Sequence, residues 1–110
     1  MVQTINTAEL VELLANQQVD LVDVRDHQEW QSGHIAGSRV IPLEVFRADP
    51  DAAISHGSII VFVCAKGIRS MTAAKLAERF GYTNIYNLEG GSKEWASAGL
   101  PLVVLERVAA

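Results

Sequence analysis

The sequence predicts an α/β fold: a small parallel sheet of about five strands flanked by helices on both faces. Three observations carry this. Short apolar runs alternate with segments of helical period along all 110 residues. The most continuous apolar run, Ile59–Val63, is β-branched or aromatic at every position, as a central parallel strand covered on both faces requires. Turn signals, among them Asp49-Pro50-Asp51, Gly90-Gly91 and Gly99-Leu100-Pro101, separate the elements at short intervals, with no internal repeat and no low-complexity stretch.

In chain order, residues 2–5 read as a short edge strand. Thr7 is a fitting N-cap for a helix that ends near Asn16 and carries Leu10, Val11, Leu13 and Leu14 at helical spacing. Residues 19–24 form a buried strand interrupted by Asp20 and Asp23, and Arg25 and Asp26 follow where strand gives way to loop. Residues 27–32 make one or two helical turns closed by Gly33, and residues 40–41 before Pro42 form a short strand. A third helix begins near Leu43, but the Asp-Pro-Asp break divides it into pieces at 43–46 and 52–54. After the central strand, a helix starts at Arg69 or Ser70 and runs to Phe80. Its broad apolar face holds Met71, Ala73, Ala74, Leu76, Ala77 and Phe80, and Gly81 caps it. Residues 85–88 are the next strand, Gly90-Gly91 opens a turn, and 92–98 form a short helix carrying Trp95 before an apolar tail at 102–105.

The length and the mass of 11.9 kDa suit a single domain over residues 1–110. Hydrophobic residues at 49% and charged residues at 20% supply enough apolar surface for a folded core, which excludes a disordered chain. A net charge of −4 argues against nucleic acid as a partner. Cys64 is the single cysteine, so no internal disulfide forms, and three scattered histidines give no zinc spacing; neither metal nor organic cofactor is expected. Residues 1–6 lack signal-peptide character, and no apolar run approaches the ~20 residues that span a bilayer, so the expectation is a soluble cytoplasmic protein without membrane contact.

Cys64 stands at the carboxyl end of the central strand, where open parallel sheets hold their ligands. If Ala65, Lys66, Gly67, Ile68, Arg69 and Ser70 curl round its sulfur, their backbone N–H groups and the positive end of the following helix form a nest for an anion, and Gly67 permits the curl. The helix dipole adds ~0.3–1 kcal/mol when exposed and up to ~2 when partly buried, and Lys66 and Arg69 add positive charge. The thiol is therefore expected to ionise below its free value of ~8.5, within the ~3.5–7.5 range of such electropositive settings. The competing reading makes Cys64 a small buried hydrophobe at a strand end. The glycine, two cations and helix start clustered around one sulfur favour the nucleophile.

Four stretches together then identify a resemblance: Leu21-Val22-Asp23-Val24-Arg25 with Glu29-Trp30; Gly33-His34-Ile35-Ala36-Gly37-Ser38 leading to Ile41-Pro42; Cys64-Ala65-Lys66-Gly67-Ile68-Arg69-Ser70; and Asn87-Leu88-Glu89-Gly90-Gly91 with Trp95 and Ala98-Gly99-Leu100-Pro101. Over nearly its whole length the chain resembles the single-domain rhodaneses, which are thiosulfate sulfurtransferases. The resemblance implies a two-step transfer in which Cys64 takes the outer sulfur of a donor as a persulfide and passes it to a nucleophilic acceptor. It implies a small anionic donor such as thiosulfate or a persulfide, and as acceptor cyanide, a thiol or a protein thiol, thioredoxin-like proteins included. The loop from Ala65 to Ser70 would bind substrate and persulfide through its N–H donors. Lys66 and Arg69 would orient the anionic donor, although Arg69 has the alternative of turning outward to balance a surface carboxylate.

Loop length bears on substrate class. Phosphatases with a related cysteine loop have one more residue before the arginine than the four found here, Ala65 to Ile68, and usually a His before the Cys, where this chain has Val63. A tighter ring suits one sulfur atom and crowds a phosphoryl group. The Ala-Lys-Gly-Ile-Arg form also points toward thiosulfate or persulfides and away from mercaptopyruvate. A second function, of another class, uses the same thiol: a persulfide-carrying or regulatory interaction module loaded by a partner protein. Asp23 and Arg25 are expected to support the loop as a hydrogen-bonded or ion-paired brace. His34 is expected to satisfy backbone groups in a turn, His27 and His56 to face solvent, and Trp30 and Trp95 to anchor helix to sheet. Glu89-Gly90-Gly91 is too short for a phosphate-binding fingerprint and reads as a turn.

Overall fold

In the computed structural model, which describes residues 1–105, five strands form one all-parallel sheet: β1 (Gln3–Ile5), β2 (Val19–Asp23), β3 (Arg39–Val40), β4 (Ile59–Val63) and β5 (Ile85–Leu88). The order across the sheet is β1-β5-β4-β2-β3, so β4 is central and β1 an edge. Parallel pairing forces crossovers, and helices supply them. They are α1 (Thr7–Asn16), α2 (His27–Ser32), α3 (Leu43–Ala48), α4 (Pro50–Ala53) and α5 (Ile68–Arg79), with α6 (Gly91–Ser97) following the last strand.

The two-residue period of a strand divides the core into two clusters, one on each face of the sheet. Ile60 and Phe62 of β4 join Val22, Phe46, Ala73, Ala74 and Ala77 beneath α3 and α5. Val61 and Val63 join Leu21, Leu10, Leu88 and Trp95 beneath α1 and α6. Cys64 continues the Ile60–Phe62 row and therefore falls on the α5 face. α5 buries only small side chains there, Ser70, Ala73, Ala74 and Ala77, which lets its axis approach the sheet closely.

Several elements differ from the sequence reading. Asn6, not Thr7, is the N-cap of α1. Its side chain accepts from the Glu9 N–H at 2.8 Å while Glu9 returns the bond to the Asn6 N–H at 2.9 Å, a reciprocal box that leaves Thr7 in the first turn. Val11, placed on the apolar face, is 41% exposed. β3 sits one residue earlier than expected because Val22 and Asp23 pair with Arg39 and Val40. Asp49 rather than the following residues starts the second short helix, capping it with Pro50 in the first turn, so the piece begins at Pro50. α5 starts at Ile68, since Gly67 at φ +98° already turns the chain into the helix, and Phe80 ends outside its buried face, 47% exposed. α6 starts at Gly91, one residue before the reading. In the tail, Val103 forms an isolated antiparallel bridge with His34.

Candidate active site

The sulfur of Cys64 is placed by the sheet and ringed by the loop. Its residue is 1% exposed and packs against the α5-side core, yet the Gly67 N–H donates to Sγ at 3.1 Å. The Ser70 hydroxyl lies 3.3 Å from the same atom, and Ser70 itself is fully buried in the first turn of α5. Burial pushes the thiol up. Hydrogen bonding outweighs it, led by the Ser70 hydroxyl and followed by the backbone N–H groups of Ser70, Lys66 and Gly67, and the net effect is a thiol below its ordinary value. The side chain is thus both buried and bonded by the loop, through the Gly67 N–H and the Ser70 hydroxyl.

The loop is shaped from outside as well. At the start of α6, the Ser92 N–H donates to the Cys64 carbonyl at 2.9 Å and the Lys93 N–H to the Ala65 carbonyl at 3.0 Å. These are N–H groups that a helix start leaves without intrahelical partners, used here to anchor a neighbouring loop. Gly91 makes the approach close: at φ +59°, a Cβ built on it would lie 2.3 Å from the Cys64 carbonyl oxygen. The Gly90-Gly91 pair, read as a turn, is therefore a contact with the backbone of Cys64 itself. A glycine doublet directly after a strand was the signal for it.

The charged residues fall into three groups. Arg69 turns to Glu29 of α2, donating through Nη1 at 2.8 Å and Nη2 at 3.0 Å. This is the outward alternative, with the sulfur's charge still acting on the guanidinium and helping to raise its pKa. Glu29 is held down to about 2, chiefly by these hydrogen bonds against an opposing cost of burial. Lys66 is exposed and, with Lys93, Glu94, Gly90 and Ser97, borders a hollow of about 380 Å³ between loop and α6. Asp23 and Arg25 form a buried pair, with Arg25 Nε 3.0 Å and Nη2 2.9 Å from the carboxylate, and Nη2 continues to the Gly33 carbonyl at 2.7 Å. That brace ties the β2 end to the α2 C-terminus, next to the Glu29 that holds Arg69.

Ile68 projects from the loop at 75% exposure, and the Ala65 side chain is half-buried. His34 is buried and stacks on Trp30 with ring centroids 3.8 Å apart, and its Nδ1 lies 2.9 Å from the Trp30 carbonyl. His56 is exposed but stacks on Tyr82, and Trp95 donates to the Pro101 carbonyl at 3.1 Å. Two contributors were missed in the sequence as site residues: Glu29, which looks like an ordinary helix-start carboxylate, and Asn87, a polar residue inside β5 whose Nδ2 donates to the Gly67 carbonyl at 3.2 Å. Among the described residues, no three His, Cys, Asp or Glu side chains cluster as a metal site, and no helix is long and apolar enough to cross a membrane.

Residues 6–98 match the model of the rhodanese-like domain. The chain belongs to that family. It is 37% identical over 89 residues to the thiosulfate sulfurtransferase GlpE of Pseudomonas aeruginosa, covering 81% of this chain and 80% of that one. It is 32% identical over 107 residues to the tRNA uridine(34) hydroxylase of Erwinia tasmaniensis, covering 89% of this chain and 31% of the relative. The chain spans 59% of the length of one curated relative that it matches and 31% of another. Among solved structures, the rhodanese-related protein of Thermoplasma volcanium superposes with a TM-score of 0.84 at 31% identity, over 93% of this rhodanese-like chain and 98% of that one. The rhodanese-like fold and membership of the rhodanese-like sulfurtransferase family are thereby shown.

Proposed function

We propose that this rhodanese-like domain is a thiosulfate sulfurtransferase, carrying a sulfane sulfur on Cys64 from thiosulfate or a persulfide to a thiophilic acceptor: cyanide, a thiol or a protein thiol. The observation that carries the reading is a single sulfur that accepts from the Gly67 N–H at 3.1 Å and lies 3.3 Å from the Ser70 hydroxyl, with the thiol lowered below its ordinary value. In the first step the Cys64 thiolate attacks the outer sulfur of thiosulfate. A Cys64 S–S bond forms, the donor's S–S bond breaks, and sulfite leaves with the electron pair. In the second step the acceptor attacks the outer sulfur and Cys64 departs as the thiolate that the same donors stabilise. Attack by the thiolate itself requires no general base, and sulfite is a stable leaving group. Preorganised donors in a site screened from water are worth more than the same donors in solution.

Lys66 beside its hollow supplies exposed positive charge for an anionic donor, and Arg69 contributes its field from the Glu29 pair. The name of the Pseudomonas relative supports thiosulfate as donor. A reducing compartment such as the cytoplasm suits a lone thiol that must stay free. A second reading, a persulfide-carrying module loaded by a partner protein, draws on the longer relatives, of which this domain is a part only.

Intact mass after incubation with thiosulfate tests the chemistry. A gain of one sulfur, about 32 Da, on Cys64 and its loss in Cys64→Ala are expected of covalent catalysis. An unaltered mass with thiosulfate, but a gain from a protein persulfide, would replace the enzyme reading with the carrier.

A further inference from the structure

Asn87 does something in this structure that its place in a strand does not require. It is 3% exposed in β5, between Tyr86 and Leu88, and its Nδ2 donates across to the carbonyl of Gly67 at 3.2 Å. Its Oδ1 is buried without a hydrogen-bond partner. The orientation of the amide is fixed by chemistry, because only the nitrogen end can donate to a carbonyl. The side chain therefore accepts a buried, unsatisfied oxygen in order to place its nitrogen on the loop, a combination that costs stability and calls for another explanation.

The loop supplies that explanation. In a trans peptide the carbonyl of one residue and the N–H of the next point in opposite directions. Holding a carbonyl outward therefore aims the following N–H inward. The start of α6 does this twice: the Cys64 and Ala65 carbonyls are taken by Ser92 and Lys93, and the N–H after the second, that of Lys66, is one of the groups acting on the sulfur. Asn87 does it a third time, turning the Ile68 N–H away from β5 and fixing the far side of Gly67. Gly67 is where the loop most needs such a hold. It caps α5 at φ +98° with no side chain to restrain the peptide plane on its N-terminal side, and its own N–H makes the 3.1 Å bond to Sγ.

We propose that Asn87 is a positioning residue for the Cys64 thiolate: by clamping the Gly67 carbonyl it steadies the residue whose own N–H bonds the sulfur. This rests on Cys64 as the nucleophile assigned above, but not on any particular sulfur donor.

The test is the pH dependence of Cys64 alkylation by iodoacetamide, measured without a sulfur donor so that it stands apart from transfer activity. Asn87→Leu keeps the number of heavy atoms and the branching, removes the clamp and removes the orphaned oxygen. The expected result is a midpoint raised by about half a unit to one unit, which is a threefold to tenfold loss of rate well below the midpoint, with thermal stability equal to or above the parent. Asn87→Asp keeps the shape, lacks the donor and adds negative charge, and should raise the midpoint further. A purely structural role predicts the reverse pattern, lowered stability with an unchanged midpoint, and that result overturns the proposal. A measurement on the unmutated protein covers variants that fail to fold. The Gly67 amide proton and the Asn87 side-chain amide protons should shift together with Cys64 ionisation in an NMR titration, and Asn87 amide protons indifferent to that ionisation overturn the assignment equally.

Discussion

Replacing Gly91 with alanine tests how tightly the nucleophile's backbone is held. The added Cβ would stand 2.3 Å from the Cys64 carbonyl oxygen, 2.5 Å from the Ala65 carbonyl oxygen and 2.6 Å from the Ala65 carbonyl carbon. All three are backbone atoms, so no side chain can swing aside, and either the loop or the start of α6 must move. Movement breaks the Ser92 and Lys93 hydrogen bonds to the loop, each worth about 1 kcal/mol net. The φ of +59° adds a left-handed penalty of roughly 1–2 kcal/mol for any residue with a Cβ. A loss of about 3 kcal/mol is a large part of the ~5–15 kcal/mol typical of a domain, and corresponds to a fall in Tm of roughly 10–20 °C at this size. Urea and thermal unfolding measure the loss, and the alkylation midpoint of Cys64 should rise in the same variant as the Lys66 amide is released. A Gly91→Ala protein within about 1 kcal/mol of the parent, with its midpoint unmoved, would refute the claim that α6 shapes the loop.

Two further outcomes follow from the same geometry. Ser70→Ala removes the hydroxyl 3.3 Å from the sulfur; a hydrogen bond to a charged group is worth ~1.5–3 kcal/mol, so the alkylation midpoint should rise by about one unit or more, while alanine's helix propensity keeps α5 intact. Glu29, held down to about 2 in the fold against an ordinary 4.5, contributes stability that is present above about pH 4.5 and is lost as pH falls toward 2. Urea midpoints of the parent should therefore decline across that window and those of Glu29→Gln should decline less, by a modest amount because the pair is partly exposed and solvent-screened; parallel curves would remove Arg69 as the group responsible.

What the sequence made legible was set by patterns of local origin. The run Ile59–Val63 announced the central strand, and because β4 is buried on both faces its neighbours had to pair in parallel with helices between them. The placing of Cys64 followed from the same fact, since it continues that strand into a glycine-bearing loop and a helix start. Helix ends were less legible. Asn6 and Thr7 are both good N-caps by residue type, and the reciprocal bond with Glu9 that decides for Asn6 exists only once the first turn is formed. Arg69 shows the limit of charge counting. Two cations near a sulfur suggested two anion-binding groups, but a carboxylate 40 residues away in sequence takes one of them, and only the folded α2–α5 geometry brings Glu29 there.

The harder parts to read were those in which one segment acts on another through its backbone. Nothing in the residue types of Ser92 and Lys93 says that their N–H groups anchor the Cys64 loop, because any residue but proline offers the same donor. What the sequence can carry is the permission for such contact: a glycine where a Cβ would collide, as at Gly91, or a polar side chain inside a buried strand, as at Asn87. Asn87 lies near the end of β5 and Gly91 at the start of α6, and both touch the backbone of the Cys64 loop rather than the sulfur itself. The anion nest is thus not a property of residues 64–70 alone. Its carbonyls are held outward by the β5–α6 corner and its amides face inward in consequence, so changes in that corner should alter the reactivity of a cysteine they never contact by side chain.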